Sequence, residues 1–132
     1  MPLDWGNLAF SQLFRWISFV VMLSGVIMLD RVHAALGDNF SPVLELKAEH
    51  RLVRSGLYSR IRHPMYTSGF LYLLGAGGLS ANILVLVAPT LSFALLVALR
   101  LPDEERMMAK RFGADWESHK LSTGLFLPGK GN

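Results

Sequence analysis

Apolar positions fall into three runs, roughly residues 13–29, 64–79 and 83–101, each bounded by polar or charged residues. None shows the two-residue alternation of a half-buried strand, and their lengths favour helices. About 20 residues at 1.5 Å each are needed to cross a hydrocarbon layer of roughly 30 Å. The third run meets that length and the second is short. Pro64 suits a first helical turn, and Ser80-Ala81-Asn82 offers a turn into the third run. Gly69, Gly75, Gly77 and Gly78 let a neighbouring backbone approach, which predicts a tight helical hairpin of the second and third runs. Pro89 is expected to kink the third.

The polar positions complete an all-α, multi-pass membrane expectation. Arg31, Lys47, Arg51, Arg54, Arg60 and Arg62 lie between the first and second runs. Arg100, Arg106, Lys110, Arg111, Lys120 and Lys130 begin at the end of the third, and only Arg15 falls elsewhere. By the positive-inside rule the loop 30–63 and the tail are cytoplasmic, and the amino terminus and the 80–82 turn lie outside. Within the loop, residues 31–36 read as a short amphipathic stretch, 37–39 as a turn, and 43–56 as an extended approach. Residues 102–119 read as a cytoplasmic tail helix with acids in its first turn. Its face Glu104, Met108, Phe112, Trp116 repeats every four residues and Gly113 lies inside it. The expectation is one domain over 1–132, with three spans and a bacterial inner membrane as its place.

Composition agrees with that organisation. Among 132 residues, 52% are apolar against 17% charged, more apolar surface than a soluble core of this size would enclose. The first run lacks a cleavage site and reads as a retained span, not a secretory signal. Absence of cysteine excludes a disulfide framework, a thiol nucleophile and a thiolate metal site. A net charge of +3 is no nucleic-acid signal, because the cations form no stripe interleaved with aromatics.

Chemistry concentrates at two membrane edges. Arg62-His63-Pro64-Met65-Tyr66 opens the second run, and Pro102-Asp103-Glu104-Glu105 follows the third. His63 has a plain reading as an interfacial histidine, and acids in a first helical turn complement the helix dipole. Position argues for more: Arg100 and Glu104 stand one turn apart at a lipid boundary, where ionisable groups are costly and functional by default. Tyr72 and Trp116 read as interfacial aromatics. His33, His50, His63 and His119 lack metal-ligand spacing, so no metal is expected.

The segments His50-Arg51-Leu52-Val53-Arg54-Ser55-Gly56-Leu57-Tyr58, Arg62 to Tyr66, Glu104-Glu105 and Phe112-Gly113, with the linker Leu36 to Pro42, occur in this order. The combination resembles the isoprenylcysteine carboxyl methyltransferase and phospholipid methyltransferase families, over roughly residues 25–128. The resemblance implies S-adenosylmethionine as methyl donor, with S-adenosylhomocysteine as product. It places His50, Leu52, Val53, Gly56, Tyr58, Arg62, His63, Pro64, Tyr66, Glu104 and Glu105 at the donor and Arg100 at the acceptor, with Arg100 and Glu104 as the candidate catalytic pair. It further implies a pocket closed by the carboxy-terminal helix and a lipophilic acceptor entering from the bilayer. That acceptor is a carboxylate held by Arg100, or an amine whose proton a carboxylate takes. Expected partners are this acceptor, membrane lipid and, where three spans leave a tunnel incomplete, a second copy. An idle relative serving as a membrane scaffold is the alternative.

Overall fold

In a computed structural model of the chain, residues 6–39 and 51–129 are described, and they form four helices. Helix α1 spans Gln12–Leu36, α2 Pro64–Ser80, α3 Ile83–Phe112 and α4 Ala114–Ser122. Short 3-10 turns lie at Gly37–Asn39 and Gly56–Ser59. The extended approach over 43–50 lies outside the described residues.

Local chemistry sets the ends. Ser11 caps α1 by accepting from the Phe14 N–H at 3.2 Å. Helix α2 begins with His63 as N-cap and Pro64 in its first turn, and it stops where Ala81 turns left-handed at φ 53. The side chain of Asn82 then caps α3, accepting from the N–H groups of Leu84 at 3.0 Å and Val85 at 3.4 Å. So short a connection leaves α2 and α3 antiparallel neighbours.

The glycines of α2 serve two partners, not one. A Cβ at Gly69 would enter the Phe93 ring, and one at Gly77 would lie 2.5 Å from Leu86 Cα, so these two admit α3 as expected. Gly75 and Gly78 face α1 instead: a Cβ at Gly75 would strike the backbone of Met22, and one at Gly78 the side chain of Ser18. Gly25 of α1 returns the contact, its absent Cβ standing 2.6 Å from the Tyr72 nitrogen and 2.8 Å from the Ser68 oxygen. Helix α2 therefore lies backbone to backbone on α1 as well as on α3, and small residues make both approaches.

Two boundaries differ from the sequence expectation. Helix α1 runs on to Leu36, taking in the amphipathic 31–36 stretch. Helix α3 continues through Pro89 and Pro102 to Phe112, so there is no separate helix over 102–119. The break comes at Gly113, whose φ of 53 is left-handed backbone, and α4 follows. Glu104 and Glu105 thus sit in the interior of a 30-residue helix, not in the first turn of a new one.

Helices α1 and α3 are each long and apolar enough to cross a membrane, whereas α2 has 17 residues. Their large side chains face outward, with Trp16, Leu91, Leu95 and Leu99 all more than 60% exposed, as lipid contact requires. Small residues and Val32 and Val97 are buried where the helices touch, and a second buried group, Ile61, Pro64, Tyr66, Trp116 and Thr123, gathers where α2 begins and α3 and α4 meet.

Candidate active site

His63 enters the site from the N-cap of α2, where Pro64 starts the helix and is itself buried. Its Nε2 lies 2.7 Å from Glu105 Oε1, a hydrogen bond that places a proton on Nε2. Its Nδ1 stands 3.7 Å from Glu104 Oε2. Neighbouring residues of a helix project about 100° apart, yet both carboxylates reach one imidazole, because the ring bridges the gap between them. One turn into α2, the Tyr66 hydroxyl donates to Glu104 Oε1 at 2.6 Å. Arg100, one turn before Glu104, approaches the same oxygen at 3.4 Å.

The two motifs therefore meet as an interlocked cluster of opposite charges. Arg62 Nε lies 3.5 Å from Glu105 Oε1, while its Nη1 donates to the Lys120 and Thr123 carbonyls, each at 3.0 Å. That geometry makes Arg62 a clamp on the end of α4. Around the imidazole stand Tyr66, stacked at 5.9 Å between centroids, Trp116 at 6.5 Å and Phe126 at 6.5 Å. Tyr58, in the turn before α2, stays a neutral phenol well beyond the neutral range: burial raises its pKa, and the nearby charge of Glu104 adds to this.

Beside the cluster, Arg51, Leu52, Arg54, Phe112 and Asp115 line an open cavity of about 460 Å³. The Arg54 guanidinium also donates to the Asp115 backbone oxygen. Trp116 follows Asp115 in α4, so one helical turn joins the cavity wall to the packing of His63. A pocket of this size is in the range that encloses a nucleoside-sized ligand. Its lining combines the guanidinium groups of Arg51 and Arg54, the carboxylate of Asp115 and the apolar side chains of Leu52 and Phe112.

The structure thus unites Arg62, His63, Pro64, Tyr66, Arg100, Glu104 and Glu105, with Tyr58 close by. Leu52 lines the cavity and Val53 is half-buried beside it in sequence. Gly56 is not in the cluster: it has a left-handed φ of 59 and its nearest neighbour for an added Cβ is Ala35 of α1, at 3.7 Å. His50 lies outside the described residues. Trp116 is only 2% exposed, so the interfacial-belt reading fails for it, while Tyr72 is 46% exposed as that reading expects.

The residues missed from sequence are Arg54, Trp116, His119 and the segment 123–126. The four-residue stripe ending at Trp116 was the sign for that ring, and Arg54 stood within the segment His50 to Tyr58. His119 is 3% exposed, and burial lowers its pKa, helped by the positive fields of Arg54 and Arg62 and by His63. The folded chain therefore keeps it neutral, while the unfolded chain protonates it below about pH 6.5. Its stabilising contribution is complete above that pH and is lost as pH falls toward the lowered folded value. Thermal unfolding is expected to show a downward slope in this window, and His119→Asn to flatten it.

Residues 16–110 match the model of the isoprenylcysteine carboxyl methyltransferase (ICMT) family. The chain belongs to that family. Among its relatives, the Xenopus laevis protein-S-isoprenylcysteine O-methyltransferase is 31% identical over 85% of this chain and 40% of its own length. The cobalt-zinc-cadmium resistance protein CzcN of Cupriavidus metallidurans is 32% identical over 86% of this chain and 51% of its own. The solved structure of the eukaryotic intramembrane Ras methyltransferase ICMT superposes with a TM-score of 0.79 at 26% identity. That match covers 87% of this chain and 42% of the other. The chain thus spans about half the length of the relatives it matches.

Proposed function

We propose that this ICMT-family chain transfers a methyl group from S-adenosylmethionine to a carboxylate on a lipophilic acceptor, at the cytoplasmic face of a bacterial inner membrane. The observation that carries the proposal is the meeting of His63 and Tyr66 with Glu105 and Glu104 at the polar end of two apolar helices. A scaffold has no use for such a set, since ionisable groups at a lipid boundary are costly.

When bound, S-adenosylmethionine supplies a methyl group activated by its sulfonium sulfur. The chain's own part is placement and dryness. Glu104 and Glu105 present carboxylate oxygens to an ammonium, and the aromatic rings of Tyr66 and Trp116 exclude water from the same space. Arg51 and Arg54 supply the positive side of the cavity. Arg100, 31% exposed, keeps donors available for an acceptor carboxylate. An ionised carboxylate needs no base to be methylated, so Glu104 remains a binding group in this reading. The cytoplasmic assignment follows from the cations of the loop and tail. The printed names of the isoprenylcysteine O-methyltransferase relatives support the acceptor type.

Calorimetric titration of the detergent-purified chain with S-adenosylhomocysteine tests the donor. Absence of heat from a folded sample would remove the enzyme reading and leave the scaffold. Arg100→Ala is expected to keep product affinity within about twofold while methylation of a prenylated cysteine analogue falls by two orders of magnitude or more. Parallel loss of both would move Arg100 to the donor side.

A further inference from the structure

Beyond α4 the chain turns back and lies along the four residues that lead into α2. The N–H of Arg62 donates to the Gly124 carbonyl at 2.8 Å, that of Gly124 to Arg60 at 3.0 Å, and that of His63 to Leu125 at 3.1 Å. Ile61 and Gly124 pair in a parallel bridge. Side chains reinforce the ladder. Thr123 is fully buried with its hydroxyl on the His119 carbonyl at 2.5 Å, and Arg62 holds the Lys120 and Thr123 carbonyls from the other side. Thr67, one turn into α2, donates to the Phe126 carbonyl at 2.6 Å.

None of these tail residues lies within the stretch 16–110 that carries the family match. We propose that Thr123 to Phe126 form a strap that positions His63, and that the Thr67 hydroxyl is its latch. Thr67 and Phe126 are thus positioning residues for the donor pocket, an inference that rests on the function proposed above.

The argument is mechanical. His63 is an N-cap with φ −127 and ψ 62 whose side chain makes no capping bond, so its own helix does not fix the ring. The ring must nevertheless hold 2.7 Å to Glu105, the short end of the range for such a bond, and keep its angle to that oxygen. The strap supplies what is missing: the Leu125 carbonyl accepts from the His63 N–H, the Thr67 bond holds the next turn, and the Phe126 ring stands beside the imidazole. Fixing two segments more than 55 residues apart costs conformational entropy. A ladder of backbone bonds reinforced by part-buried side-chain bonds offsets more of that cost than a single surface tie would.

Thr67→Val keeps the shape and removes the hydroxyl, and Thr67→Ser does the reverse. With the full-length chain in detergent, Val is expected to weaken S-adenosylhomocysteine binding about tenfold, and Ser to stay within about twofold of the parent. Native-state amide exchange at Arg62, His63 and Gly124 is expected to accelerate about tenfold in Val and not in Ser. If Val behaves as the parent in both measurements, or if Val keeps and Ser loses affinity, the latch is refuted. Should the parent itself bind no S-adenosylhomocysteine, the donor reading falls, and the exchange rates alone decide the strap: faster in Val supports it, unchanged overturns it.

Discussion

Glu104→Gln is expected to weaken S-adenosylhomocysteine binding about a hundredfold while leaving the fold intact. Glu104 takes the Tyr66 hydroxyl at 2.6 Å, faces His63 Nδ1 at 3.7 Å and meets Arg100 at 3.4 Å, with a side chain only 20% exposed. Glutamine matches it in volume and still offers an oxygen to Tyr66, so packing is preserved. What disappears is the negative charge that a ligand ammonium would pair with. A charge-assisted hydrogen bond in such surroundings contributes about 1.5–3 kcal/mol, and a hundredfold change in affinity corresponds to about 2.7 kcal/mol. Titration calorimetry reads the outcome directly. Full affinity in the glutamine variant would mean that Glu105 or another group receives the ammonium, and the donor would have to be turned in the pocket.

For stability, the largest loss is expected at Gly75. A Cβ there would overlap the Met22 backbone nitrogen and lie 2.6 Å from its Cα. The obstacle is main chain of the facing helix, which cannot rotate away as a side-chain tip can. Overpacking an interior typically costs about 1–3 kcal/mol, and Gly75→Ala should fall at the upper end because two helices must part to admit the methyl group. Gly75→Leu is expected to yield no folded monomer at all. Gly129→Ala is the matched control, since an added Cβ there meets nothing within 4 Å. Size-exclusion profiles and thermal unfolding in detergent distinguish these cases. A normally folded Gly75→Leu would show that α1 and α2 are held together elsewhere.

Much of the site was legible from residues because ionisable groups at the ends of apolar runs stand out against their surroundings. His63, Tyr66 and Glu104 were marked by that contrast, and the structure places them within contact of one another. Helix boundaries were harder. Pro102 before three acids is the signature of a helix start, yet a proline inside a helix removes one backbone bond and leaves the rest available. Glu104 and Glu105 are tied to Tyr66 and His63, and those ties hold the helix on course past the proline. Trp116 followed the period-four face of Glu104, but Gly113 breaks that helix and redirects the ring inward, a change no periodicity can report. The pairing of 60–63 with 123–126 was invisible for a different reason. It joins backbone groups, which every sequence possesses, across a separation that no local pattern spans.

One consequence follows from the unbroken course of α3. From Ile83 to Glu104 there are 21 helical steps, roughly 32 Å at 1.5 Å each, so the helix acts as a ruler that delivers the carboxylates to the edge of the hydrocarbon. It is also an angular gauge. Each residue inserted above Arg100 would lower the carboxylates slightly but swing them by about 100° away from His63. Change in the length of this span is thus confined to near-whole turns, and the phase of the helix, more than its length, ties the bilayer to the chemistry.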